Sequence, residues 1–160
     1  MSRIIYQNSA GGVSIVVPKA GVLAASLATK VVPSGTSYEI VADTAIPTDS
    51  TFRSAWRKNG LTIDIDLAAA KEVALADIKE RALKAIKAAD DATALGDTPA
   101  YTASAIQSAY SAAKSAVNAD TTVANIKTEM LSFFSTYDPA TPTTTYAVTV
   151  AAKTSGHAYH

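Results

Sequence analysis

Seven apolar residues, Leu67, Ala70, Ala74, Ile78, Ala82, Ala85 and Ala89, recur every three or four positions and constrain this chain more than any other feature. That spacing is the period of an α-helix, so all of them fall on one side of a single long helix. Asp64 or Asp66 supplies its N-cap, since a short acidic side chain can accept a hydrogen bond from the first free backbone amides. Asp77 with Arg81, and Glu80 with Lys84, stand four apart with the acid first, the order that supports an exposed helix face. The stripe itself is narrow and mostly alanine. Such a stripe fits a close seam against another helix better than the broad face of a globular core.

Candidate partners for that seam follow directly. Thr98-Pro99 predicts the start of a second helix, with proline at the first helical position and Ile106, Tyr110, Ala113 and Val117 on one face. Asp120 or Thr121 opens a third, in which Val123, Ile126, Met130, Phe133 and Tyr137 keep the same spacing until Asp138-Pro139 stops it. Phe133 and Phe134 are neighbours and cannot both face one seam, so Phe134 is a candidate for contact with another subunit.

Before the long helix the pattern changes. Arg3 to Gln7 and Val13 to Val17 are short β-prone runs around Gly11-Gly12, which predicts a hairpin, and Pro18 ends its second strand. Val22 to Thr29 has room for two turns of helix. Pro33-Ser34-Gly35 makes a turn, and Tyr38 to Val41 reads as a third strand. Ile46-Pro47 is extended, Thr48 or Asp49 caps one helical turn carrying Phe52, Ala55 and Trp56, and Arg57-Lys58-Asn59-Gly60 reads as a linker. At the far end Tyr146, Val148 and Val150 alternate with threonine and alanine from Thr143 to Ala152, a strand pattern. The expected class is therefore α+β: a small N-terminal β module (hairpin plus third strand), a long amphipathic helix and two shorter helices, and a C-terminal β-strand. The corresponding regions are 1–60, a docking module, 61–140, helical, and 141–160, strand and tail.

Chemistry adds little. There is no cysteine, which removes disulfides, thiolate metal sites and thiol nucleophiles. Fourteen basic and fourteen acidic residues are interspersed, so bulk charge does not direct the chain to nucleic acid. No apolar run approaches the ~20 residues that span a bilayer, and the first residues lack the pattern of a signal peptide, which reads as a cytosolic product. The two histidines, His157 and His160, both sit in the last four residues, which argues against a hydrolytic triad. Their i, i+3 spacing makes them weak metal candidates if three tails meet on an axis, against the plainer reading of a tail. Asp64 and Asp66 lie on one side of an extended stretch, which suits either a divalent cation or helix capping. Asp90-Asp91 reads as a polar helix end. Gly11-Gly12 lacks the following lysine of a phosphate loop. Trp56 beside Arg57-Lys58 is either a nucleic-acid contact or, more simply, a core residue of a small β module. No catalytic or cofactor-binding residue is assigned.

Three segments, Arg3 to Tyr6, Val32-Pro33-Ser34-Gly35-Thr36-Ser37-Tyr38-Glu39-Ile40-Val41 and Ile46-Pro47-Thr48-Asp49-Ser50-Thr51-Phe52-Arg53-Ser54-Ala55-Trp56, resemble a small module from tailed bacteriophages, encoded near tail and fibre genes. The likeness covers about the first sixty residues, and Asp66, the helix through Ala89 and Gly96-Asp97 are compatible with the plan that follows it there. The alanine-rich helix and the extension from Thr141 to His160 depart from that plan. The resemblance implies a non-enzymatic virion structural protein, a tail- or fibre-associated adaptor made in the host cytoplasm. A fibre-assembly chaperone absent from the virion and a capsid decoration protein are the alternatives; an enzyme using a metal on Asp64, Asp66, His157 and His160 is the more distant one. Its expected partners are other virion proteins and copies of itself, with no small-molecule substrate, nucleic acid or membrane. Phe52, Arg53, Trp56, Phe134, Tyr146, Val148 and Val150 are the expected contact residues, the last three by strand addition to a neighbour.

Overall fold

A computed structural model describes residues 1–137. The expected stop at Asp138-Pro139, the strand from Thr143 to Ala152 and the residues Tyr146, Val148, Val150, His157 and His160 lie outside the described residues. Within them the class is α+β, with four helices and two antiparallel sheets of three and two strands.

The larger sheet has the order β2-β1-β3, built from β1 (Ser2–Gln7), β2 (Val13–Val16) and β3 (Tyr38–Ala42). Both partners run antiparallel to β1, with Ile5 opposite Ile15 on one side and Glu39 on the other. The β1–β2 turn is organised by Asn8. Its side-chain carbonyl accepts from the backbone N–H groups of Ala10 (3.1 Å) and Gly12 (3.0 Å), while Gly11 takes the left-handed backbone (φ 81°) the reversal needs. Ile4 and Ile5 are both fully buried. Successive strand residues face opposite sides, so both faces of this sheet are covered. Helix α1 (Ala24–Val31) packs on β1 and β3 from one side. A second hairpin, β4 (Trp56–Asn59) and β5 (Thr62–Ile65), covers the other, where Ile5, Val13, Val41, Trp56 and Ile63 form one cluster.

That second hairpin corrects the expected linker at Arg57 to Gly60. Asn59 pairs with Thr62 around the two-residue loop Gly60-Leu61, and Gly60 alone takes a positive φ (57°), a tight turn that favours glycine at its first position. The helical turn expected to carry Phe52, Ala55 and Trp56 is shorter than its reading. Arg53–Ala55 is a 3₁₀ turn without a side-chain cap, and Trp56 already belongs to β4. Asp49 instead turns its carboxylate onto Thr51, accepting from its amide (3.0 Å) and hydroxyl (2.6 Å).

The long helix α2 runs over Leu67–Ala94 with Asp66 as N-cap, its carboxylate accepting from the Ala69 amide at 2.7 Å. Ala70, Ala74, Ile78, Ala82 and Ala89 of the predicted stripe are buried. Helix α3 (Ala103–Ala119) starts four residues later than Pro99 suggests, because the Thr102 hydroxyl caps the Ala105 amide (3.2 Å). Helix α4 (Val123–Thr136) is capped by Thr122 through the Asn125 amide (3.2 Å), not by Asp120 or Thr121. Ile106, Ala113 and Val117 from α3 meet Ile126, Met130, Phe133 and Tyr137 against the α2 stripe, giving a three-helix bundle. No helix among the described residues is long and apolar enough to cross a membrane.

Candidate functional site

The segment Phe52 to Trp56, part of the phage-module likeness, is the junction between sheet and bundle. Phe52 and Ala55 insert into the bundle core; Trp56, one residue on, inserts into the sheet core. The 3₁₀ turn between them directs adjacent side chains into different layers. The backbone locks the joint, since the Asp66 amide at the head of α2 donates to the Ala55 carbonyl at 2.8 Å. Phe52 and Trp56 are each 2% exposed, so both are core residues and offer no docking surface. Of that expected trio only Arg53 reaches the surface. Its guanidinium lies 4.2 Å from the centroid of the Trp56 ring and donates to the Val13 carbonyl at 3.3 Å, which seals the tryptophan from solvent. The Trp56 indole N–H is buried without a hydrogen-bond partner.

Phe134 is half-buried on the outside of α4, with the Arg81 guanidinium 4.5 Å from its ring centroid. It is therefore covered from within the chain. The basic pair after Trp56 is also held locally: Arg57 donates to the carbonyls of Ser54 (3.0 Å) and Trp56 (2.9 Å), and Lys58 approaches Glu39 at 3.9 Å.

Asp64 and Asp66 do separate work. Asp64 accepts from the Asn59 side-chain amide at 2.6 Å across the hairpin, while Asp66 caps α2. Among the described residues no group of three or more histidine, cysteine, aspartate or glutamate side chains is placed to hold a metal. Asp91, at the helix end, pairs with Lys87 at 2.7 Å, which raises the lysine's pKa. The Glu80–Lys84 pair, also at 2.7 Å, lowers that of the glutamate. A third pair crosses between regions: Lys127 on α4 reaches Asp49 at 2.6 Å, and with the Thr51 hydrogen bonds it holds the Asp49 carboxyl far below the usual carboxylate range.

Two surface concavities among the described residues bear on docking. On the module, Met1, Val22 and Leu23 line a depression of about 350 Å³ between the start of β1 and the segment from Pro18 to Ala24; Leu23 is 74% exposed. Reading Val22 as the start of α1 hid this feature. The helix begins at Ala24 with Leu23 as its cap residue, which leaves both side chains outside it. On the bundle, α3 and α4 enclose a groove of about 370 Å³ floored by alanines and by Phe133 and Tyr137. A second alanine stripe on α3, at 109, 112 and 116, was its sequence signal. Burial next to Tyr101 pushes the Tyr137 hydroxyl's pKa up.

No family model matches the chain, and neither a curated protein nor a solved structure matches it.

Proposed function

We propose that the protein is a non-enzymatic structural adaptor of a tailed-phage particle, docking through its N-terminal module onto a tail or fibre protein. The virion placement rests on the likeness of Arg3 to Tyr6, Val32 to Val41 and Ile46 to Trp56 to the phage module. The docking role rests on one observation: the depression at Met1, Val22 and Leu23 presents large apolar side chains beside the start of β1, in the connection between β2 and α1. Apolar side chains clustered on a rigid support are what a protein partner covers, because their burial drives association without reorganising the module. Copies of the chain would share the symmetry of the particle site.

Quantitative mass spectrometry of gradient-purified particles, wild type and Leu23→Asp, tests this reading. Expected is a fixed ratio to tail or fibre proteins in the wild type and at least a tenfold loss of the variant from particles, roughly the effect of a 1.4 kcal/mol weakening. Leu23 is exposed, so the variant should retain its circular dichroism and thermal midpoint. A copy number matching the capsid would replace the adaptor with a decoration protein. Absence from particles, with fibres lost on gene deletion, would replace it with an assembly chaperone.

A further inference from the structure

The ladder hydrogen bonds determine which backbone groups of the larger sheet stay open. Just past the β1–β3 ladder, and in its register, the Asp43 N–H donates to the Met1 carbonyl at 3.2 Å. Bonded and unbonded pairs alternate along an antiparallel ladder, so Arg3 with Val41 and Ile5 with Glu39 are the bonded pairs. The N–H and C=O groups of Tyr38 and Ile40, and the N–H of Ala42, therefore point away from β1. Among the described residues none of these groups has a hydrogen-bond partner. The opposite edge is better covered. On β2 the Arg53 guanidinium donates to the Val13 carbonyl at 3.3 Å, and Pro18 follows the strand. β3 contains neither lysine nor proline, the residues that commonly protect an edge, and Ile40 at its centre is 38% exposed.

The pattern of this edge is complementary to itself. Two copies of β3 can pair antiparallel about a two-fold axis normal to the sheet, which must pass through a residue so that each face continues. With the axis at Ile40, Ile40 exchanges both bonds with its own copy. Tyr38 then stands opposite Ala42, where the Ala42 N–H meets the Tyr38 carbonyl and the Tyr38 N–H meets the Ala42 carbonyl. Moving the axis to Glu39 sets two glutamates directly opposite, in an unbonded pair where side chains are closest. Moving it to Val41 sets Glu39 opposite Asp43. Either shift opposes like charges, which is destabilising, and leaves Ala42 or Tyr38 without its strand partner. The copy is also already a strand. A foreign peptide would lose its conformational freedom on docking, a cost that a preformed edge avoids.

We infer that β3 is a self-pairing edge: two copies of the chain join antiparallel about Ile40 and merge their sheets into one of order β2-β1-β3-β3-β1-β2. Five residues a side make a small interface, below the ~1,200 Å² at which stable complexes begin. The pair therefore forms at high local concentration and separates in dilute solution. The proposal does not depend on the phage reading.

Amide hydrogen exchange of the unmodified full chain, followed by NMR from micromolar to millimolar concentration, tests this. Expected is about a tenfold gain in protection at Tyr38, Ile40 and Ala42 as concentration rises, with Glu39 and Val41, already bonded to β1, unchanged. A single cysteine then reads the register, because the chain has none of its own. Ile40→Cys places its Cα about 5.5 Å from that of its copy, within disulfide reach. It should oxidise to a covalent dimer about tenfold faster than Ala42→Cys, whose copies lie ~14 Å apart along the strands. Ile40→Lys should abolish the concentration dependence by opposing two charges at the axis. Outward amides that stay unprotected at millimolar concentration would overturn the proposal. So would their protection in a chain that sediments as a monomer, since the edge would then be covered from within the chain. Equal oxidation of the two cysteine variants would overturn the pairing about Ile40.

Discussion

The β module and the helical bundle solve the same burial problem with opposite means. The module gathers five bulky side chains, one from each of its five strands: Ile5, Val13, Val41, Trp56 and Ile63 come together across nearly sixty residues of chain. The bundle spreads its burial along α2 in small steps, with Ala70, Ala74, Ala82 and Ala89 placing backbone close to backbone and Ile78 the one large residue among them. A bulky core tolerates no loss of volume, while an alanine seam tolerates no gain. The module's core is therefore sensitive to truncation and the bundle's to enlargement. The two meet at Phe52, which lies in the module's part of the sequence but in the bundle's core.

That misplacement gives the strongest way to break the comparison. Phe52→Ala should cost about 3–5 kcal/mol, the range for truncating a buried aromatic, and the loss should show first in the bundle. Hydrogen exchange resolves it. The amides of α2 are expected to lose protection as much as, or more than, those of β1. Protection lost in β1 alone would mean that the bundle core stands without Phe52 and that the two regions are less joined than their packing implies.

Enlargement sharpens the other half. Ala74 is fully buried in the seam, and Ala74→Leu should destabilise by about 1–3 kcal/mol, as overpacking does. Ala76→Leu, two residues on and exposed, should stay within about 0.5 kcal/mol of wild type. Urea unfolding of the pair checks the difference. Equal midpoints would show that α3 and α4 move aside, and the seam would then be loose rather than close-packed.

The same contrast explains what the sequence revealed. The bundle was legible because its information is periodic: Leu67 to Ala89 declares one face every turn, and Asp66 marks its start. The first hairpin and third strand were legible through β-branched runs between glycines. The second hairpin was not, because β4 continues from Trp56 as Arg57, Lys58 and Asn59, three polar residues that resemble a linker by composition. The only local mark was Asn59-Gly60, a hairpin signal set in a polar stretch. Trp56 was legible as a core residue of the β module and Phe52 only as important; that the two enter separate layers was not, since the 3₁₀ turn that sends them there has no periodicity to read. The α3/α4 groove was hidden for a further reason: alanine at 109, 112 and 116 looks the same whether it lies under a helix or under open space. At the ends of α3 and α4, several threonines and aspartates compete to cap, and only the folded backbone decides that Thr102 and Thr122 win.

The smallest effect probes a side-chain ion pair between the loop preceding Phe52 and the bundle, Asp49 with Lys127. Because the folded chain holds the Asp49 carboxyl well below its usual range, the folded state keeps that group ionised at pH values where the unfolded chain takes up a proton. The contribution is therefore complete above the unfolded aspartate value of about 3.9 and shrinks steadily as pH falls below it. Asp49→Asn removes the charge at every pH, so the gap in thermal midpoint between wild type and variant should be widest near neutrality and close under acid. Both partners are substantially exposed, which keeps the gap small and makes it decrease with added salt. A gap that persists unchanged into acid would assign Asp49 a neutral role through Thr51, whose amide and hydroxyl it also accepts. The joint between the two cores would then rest on packing and backbone contacts such as those of Phe52, Ala55, Ile65 and the Asp66 amide, without a contribution from the Asp49 charge.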